Sequence, residues 1–223
     1  MTDDEADDAA TDPFDGLVEA LALKDEARTG WVLRGVADPE SVAAHSWGVT
    51  LLTLLYADAF DESADRERAL ALATVHDLGE AKTGDVPTRA DPDAETPPDD
   101  EQHASEAEAM AEFAAALDAD ALPDSDVDLS ALFREYEARE TLEARLVHDL
   151  DKVEMLVQAL AYERADRYDP AAGTPESFAA YDDLDEFFAT ADAAIESSLG
   201  RRLYDRLHAA YERAKENGWS ETA

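Results

Sequence analysis

Apolar residues along this chain recur at intervals of three and four, the spacing of one face of an α-helix. Phe14, Leu17, Val18 and Leu21 start the pattern and predict a first helix from Phe14 to Lys24. A polar stretch follows, containing Arg28-Thr29-Gly30-Trp31 and Ala37–Glu40. Ser41, just after Pro39, opens the next helix, which carries Val42, His45, Val49, Leu52 and Tyr56. Asp61 to Asp65 form a polar break. A third helix is predicted from about Arg66 to Lys82, holding Leu70, Ala73, Val75, His76, Asp77 and Glu80. Gly84-Asp85-Val86-Pro87 ends it, as Gly at a helix end and Pro beyond it do. Residues 91–102 read as an acidic loop; helix returns from about His103 to Leu117 and again from Leu129 to Arg139. The longest pattern runs from Leu142 to about Arg167, with Leu142, Leu146, Leu150, Val153, Val157 and Leu160 along one stripe. Two more helices, about 175–195 and 199–216, close the chain. Nothing alternates with period two, so the expected fold is all-α. Residues 1–12 read as an acidic flexible tail and 13–218 as one domain, long enough to bury a core.

Charge changes this picture. The chain carries 55 acidic against 18 basic residues, a formal net charge of −37, and only four of the basic residues are Lys. Such a surface excludes binding to duplex nucleic acid or anionic lipid through a general basic face. High charge can signal disorder, but 45% of the residues are hydrophobic and they keep helical spacing. The simplest account is a folded halophilic protein from a salt-filled cytoplasm, where counterions screen the self-repulsion. An acidic interaction surface is the alternative. The chain has no cysteine, which removes disulfides and thiol nucleophiles. No apolar run is long enough to span a bilayer, and the N-terminal residues are acidic rather than signal-like, so the expected location is cytoplasmic.

Candidate chemistry centres on His76-Asp77, with Glu80 three and four residues further on, expected to project from neighbouring faces of one helix. Imidazole and carboxylate suit Mn, Fe, Co, Ni or Zn, but two adjacent residues cannot complete a coordination sphere. His45 lies on the apolar stripe of its own helix, where a core histidine bonded to a carbonyl is the competing reading. Asp151 shares a face with Val147, Met155 and Tyr162, so its carboxylate is expected to point inward, at a cost unless it is paired or binds metal. A second doublet, His148-Asp149, has Lys152 where the first has Glu80. It reads as surface, with Asp149 in an ion pair with Arg145 or Lys152.

The order His, His-Asp, Asp across an all-helical chain resembles the HD-domain metal-dependent phosphohydrolases. The strings RTGWVLRGV, PESVAAHSW, VHDLGEAKTGDVPT and LDKVEMLVQALAYE are similar to those of the small HD-domain 5′-deoxynucleotidases. The resemblance runs from about Leu23 to Glu163 and implies a single helical HD domain. It implies that His45, His76, Asp77 and Asp151 bind one divalent metal ion, of the set Mn, Co, Fe, Ni, Zn and Mg. It implies Glu80 as the catalytic acid/base and Asp85 as a catalytic residue tied to substrate binding. Arg28 is a candidate for the phosphate and Trp31 for the sugar or base, with a core anchor as the competing reading of Trp31. Arg34 and Lys82 are further phosphate candidates. His103 reads as solvated and His208 as packing.

The implied activity is hydrolysis of deoxynucleoside 5′-monophosphates, with a small-molecule nucleotide as partner and a homodimer as the assembly. The alternatives are a phosphohydrolase of another nucleotide or small phosphate ester, and a non-catalytic helical scaffold with a structural metal. From charge alone, dialysis out of molar KCl should unfold part of the chain, read as lost ellipticity at 222 nm. Equal stability at low salt would refute the halophilic account of the acidity.

Overall fold

The computed structural model describes residues 14–61, 63–90, 99–118, 127–168 and 181–217. The described residues form helices α1 (Asp15–Ala20), α2 (Thr29–Leu33), α3 (Val42–Phe60), α4 (Arg66–Val75) and α5 (Glu80–Thr83). These are followed by α6 (Asp99–Asp118), α7 (Leu129–Ala138), α8 (Leu142–Arg164), α9 (Asp185–Ala194) and α10 (Ser198–Asn217). A 3₁₀ turn, Leu21–Lys24, continues α1. No strand occurs among the described residues, only isolated bridges between Ala27 and Ser41 and between Val36 and Tyr168. The fold is all-α.

Helix α8 is the axis of the molecule. Its sequence is apolar over more than one face, and buried residues follow on nearly every side: Leu146, Val147, Leu150, Val153, Leu156, Ala159 and Tyr162 among them. A helix buried all round must be enclosed by others, and α3, α4, α7, α9 and α10 all pack against it. Local chemistry starts these helices where sequence permits an oxygen at the N-cap. Ser41 Oγ accepts from Ala44 N, Asp65 Oδ1 from Arg68 N, Asp128 Oδ1 from Ala131 N, and Thr141 Oγ1 from Ala144 N. Glu143 reaches away from its own helix and accepts from Asp65 N at 2.6 Å, tying the start of α8 to that of α4.

The structure departs from the sequence expectations in several places. The predicted helix 66–82 is broken: α4 ends at Val75, and the next backbone bonds run from Leu78 N to Val75 O, Glu80 N to Asp77 O and Ala81 N to Leu78 O. These are i to i−3 bonds, a tighter winding of three residues per turn. The stretch 25–40, expected as loop, contains α2. Helix α6 begins at Asp99 rather than His103, so 99–102 of the expected acidic loop are helical. The remainder of that loop (91–98), the tail (1–12) and residues 175–180 of a predicted helix lie outside the described residues.

His148 and Asp149 are not surface residues; they are buried. Asp149 pairs with neither Arg145 nor Lys152. Its carboxylate accepts from Glu196 N at 3.1 Å and Ser197 N at 2.8 Å, holding the chain as it enters α10. Gly200 in the first turn of α10 makes room, since a Cβ there would lie 2.6 Å from Asp149 Oδ2. Burial pushes the Asp149 carboxyl upward, but the bonds from His148, Ser197 and Glu196 outweigh it and leave it below its usual value.

Asp149→Ala should therefore destabilise the fold by about 2 kcal/mol at neutral pH, the scale of hydrogen bonds to a charged group. The folded-state value is depressed, so this advantage is full where the unfolded carboxylate is ionised. It fades as pH falls below 3.8 towards the folded value. Urea unfolding of both proteins across pH checks this; a constant difference would assign the effect to packing.

Candidate functional site

Three helices deliver the donors. His45 sits on the inner face of α3, in line with Val42 and Val49, and is fully buried. His76 caps the C-terminal end of α4 and opens the tight turn that continues through Asp77. Asp151 projects from the inner face of α8. His45, His76 and Asp151 each place one donor atom within 4.8 Å of the others. Asp77 Oδ2 joins them, 3.7 Å from His45 Nε2 and 3.2 Å from His76 Nε2.

The tight turn brings Asp77 and Glu80 into line. With three residues per turn, side chains three apart eclipse one another. Asp77 and Glu80 therefore share one side more closely than on the neighbouring faces of a continuous helix. Gly79 keeps this turn against α6; a Cβ there would come within 3.3 Å of the Glu106 carbonyl oxygen.

The donor set fits a divalent metal on the evidence of the ring nitrogens. His45 Nδ1 faces Glu154 Oε2 at 2.5 Å, and His76 Nδ1 faces the Ala73 carbonyl at 3.0 Å. Each ring thus has an acceptor at Nδ1 and turns Nε2 towards the carboxylates. His76 Nε2 is buried without a hydrogen-bond partner among the described residues, Asp77 being close but out of alignment. A buried polar atom left unpaired is costly, and a lone pair aimed at carboxylates is what a cation would satisfy.

Charge around the cluster is strongly perturbed. Burial and Arg28 pull His45 down, yet its bonds with Asp151 and Glu154 prevail and raise it to about 9. Burial lowers His76, more than the neighbouring Asp77 and Asp151 raise it. Asp151 is held well below the ordinary range; Lys152 and His45 overcome the effect of burial. Glu80 is driven well above it by burial, with Asp77 and Asp85 adding repulsion. Its Oε2 is buried and lacks a hydrogen-bond partner among the described residues. An upward shift of a buried carboxyl favours its protonated form, the form that can donate.

His76, Asp77, Glu80, Asp85 and Asp151 line a cavity of about 140 Å³. Arg28 enters it with Nη1 3.4 Å from Asp77 Oδ2 and Nε 3.6 Å from Asp85 Oδ1. Asp85 is also structural: Oδ2 accepts from Thr29 N at 2.5 Å, and its carbonyl accepts from Thr29 Oγ1 at 2.8 Å, fastening the start of α2. Trp31 anchors the core and also lines the cavity. It is buried, stacks on Phe187 with ring centres 4.0 Å apart, donates Nε1–H to Glu40 at 3.0 Å, and has one edge on the cavity. Arg34 and Lys82 do not line it. Arg34 is buried elsewhere, and Lys82 pairs with Glu112 and Glu19 at the surface.

Other cavity residues escaped the sequence reading. His148, Lys152 and Met155 come from α8, spaced as neighbours of Asp151 on one helical face. That spacing was the available signal, obscured because His148 was grouped with Asp149. His103, paired with Glu137, and Arg139 complete the basic side. Tyr136 donates to Asp151 Oδ2 at 3.3 Å. Glu154 was missed because nothing in its spacing marks it as facing His45 on another helix. His208 contacts the Phe188 ring, as packing predicts.

The HD domain family matches residues 20–190, and the chain belongs to that family. The chain is 38% identical over 142 residues to 5′-deoxynucleotidase hdd1 of Schizosaccharomyces pombe, covering 64% of this chain and 68% of that protein. It is 36% identical over 159 residues to 5′-deoxynucleotidase HDDC2 of Bos taurus, covering 68% and 72% respectively. A conserved hypothetical protein from Pyrococcus furiosus superposes with a TM-score of 0.63 at 31% identity, covering 89% of this chain and 99% of that one.

Trp31→Phe keeps the stack on Phe187 but leaves the Glu40 carboxylate without its indole donor. It should lower stability by about 1–2 kcal/mol, measured by urea unfolding. No loss would mean that Glu40 finds another donor and that Trp31 acts only through packing.

Proposed function

We propose that this protein is a metal-dependent phosphohydrolase that removes phosphate from deoxynucleoside 5′-monophosphates. The observation that carries the reading is the meeting of two imidazole Nε2 atoms with the Asp77 and Asp151 carboxylates in a cavity that also holds Glu80 and Arg28. The substrate class comes from the curated relatives, both of them 5′-deoxynucleotidases. His45, His76, Asp77 and Asp151 are assigned as ligands of one divalent ion. Bound there, the ion supplies charge stabilisation at the phosphoryl oxygens and a lowered pKa for water.

The chain's own residues then divide the remaining work. Arg28, with Lys152 and Arg139, which also line the cavity, provides positive charge for a phosphate dianion in an otherwise acidic protein. Glu80, whose carboxyl burial shifts upward, is placed to give a proton to the leaving 5′-oxygen. Asp85 braces Arg28 from the side away from Asp77. Trp31 and Phe187 form an apolar wall suited to a sugar or base.

The domain is assigned to residues 13–218, with 1–12 as an appended tail. A halophilic, cytoplasmic setting is part of the proposal, and the charge balance supports it. No helix among the described residues is long and apolar enough to cross a membrane. A homodimer is supported by the outer face of α3. Trp47, Leu54 and Leu55 are at least half exposed there, and residues 42–57 contain no Asp, Glu, Lys or Arg. That stretch of α3 itself offers no carboxylate to repel a second copy. Leu54→Glu should then yield monomers in sedimentation velocity at high KCl; an unchanged species would move the interface elsewhere.

Phosphate release from a nucleotide panel, in high KCl with Mn²⁺ or Co²⁺ and an EDTA control, tests the activity. Metal-dependent release favouring deoxynucleoside monophosphates is the expected result. Release from other esters would retain the chemistry and discard the substrate, and no release from folded protein would favour a scaffold. Glu80→Gln should keep metal and lose about 10²–10⁴-fold in turnover, whereas His76→Ala should lose both.

A further inference from the structure

His45 is gripped from both sides by one turn of α8. Asp151 Oδ1 lies 3.1 Å from its Nε2, and Glu154, three residues on, places Oε2 2.5 Å from its Nδ1. Glu154 is itself buried, and His45 is the only hydrogen-bond partner of its carboxylate among the described residues. A buried carboxylate with a single partner is an expensive arrangement unless that partner needs it.

Its path to His45 runs through Gly48. A Cβ at position 48 would lie 2.5 Å from Glu154 Oε1, 2.8 Å from Cγ and 2.9 Å from Cδ. Glycine weakens a helix interior relative to alanine, and Gly48 stands inside the 19-residue α3. The missing side chain is the space that Glu154 occupies.

We infer that Glu154 is a positioning residue for His45: accepting at Nδ1, it fixes the ring tautomer and orientation that leave the Nε2 lone pair facing His76 and Asp151, with Gly48 as the opening that admits it. The inference rests on the reading of His45 as a metal ligand. A neutral imidazole carries one N–H, and an acceptor at one nitrogen decides which nitrogen can ligate. At His76 the same task falls to the backbone carbonyl of Ala73, which no substitution removes. At His45 it falls to a side chain, so it can be tested.

Co²⁺ titration in high KCl, followed by visible absorption and by competition with a chelator, separates the cases. Glu154→Ala should weaken Co²⁺ binding about 10–100-fold and change the visible band. Glu154→Gln, whose amide oxygen still accepts from Nδ1–H, should restore most of the affinity. Gly48→Ala, which removes no polar group, should reproduce the loss by displacing Glu154. Glu154→Ala or Gly48→Ala binding Co²⁺ as tightly as the wild type, with the same spectrum, would overturn the inference.

A measurement without any variant guards against misfolding: long-range ¹H–¹⁵N spectra of the Zn²⁺-loaded wild type should show the His45 proton on Nδ1. A proton on Nε2 overturns the inference equally. Wild-type protein that takes up neither ion overturns the metal reading itself, and the role of Glu154 with it. Normal uptake with an indifferent Glu154→Ala overturns only the latter.

Discussion

His45 lies with no solvent exposure between two carboxylates, and the placing of α3 against α8 depends on that arrangement. Charged groups in a protein interior are tolerated only when each finds its partner, and removing one partner leaves the other stranded. Along little more than one turn, α8 buries three carboxylates with different partners. Asp149 holds the entry to α10, Asp151 meets His45 and Lys152, and Glu154 meets the far side of the His45 ring. Apolar packing alone would let helices slide against one another with little change in buried area. These polar contacts have distances and directions, so they set the register of α3, α8 and α10 as the hydrophobic core cannot. The chemistry of the cavity and the specification of the fold are carried by overlapping sets of residues.

The turn at 76–79 contributes in a different way. Its i to i−3 bonds have poorer geometry than those of an α-helix and form only short runs. Here the run is confined to the place where His76, Asp77 and Glu80 must address one cavity, with α6 packed close behind Gly79. The irregularity is local, and regular helix resumes on both sides of the turn.

Much of this was legible in the chain because helical periodicity reports burial directly. The all-α class, the boundaries of α7 and the burial of His45 and Asp151 all follow from spacing at three and four residues. What stayed hidden depends on contacts between elements distant in sequence. The break after Val75 is invisible to periodicity, since 3₁₀ and α turns differ by little over four residues. Helix α2 is only five residues long and is fastened by Asp85, more than fifty positions away. Asp149 beside Lys152 looks like a surface pair until α10 supplies backbone N–H groups to the carboxylate. The basic side of the cavity was missed for the same reason: its members come from the loop after α7, from α6 and from α8.

Gly48 and Glu154 share one volume between two helices, which limits how this chain can diverge. A methyl group at 48 and a full-length acid at 154 exclude each other, so position 48 is not free to drift while Glu154 stands. Descendants that fill the first must first shorten the second, passing through a form that has lost the acceptor beside His45. Substitutions at the two positions are therefore epistatic, and their order is fixed. Among sequences descended from a common ancestor, a side chain at 48 should be found only where the residue at 154 is shorter.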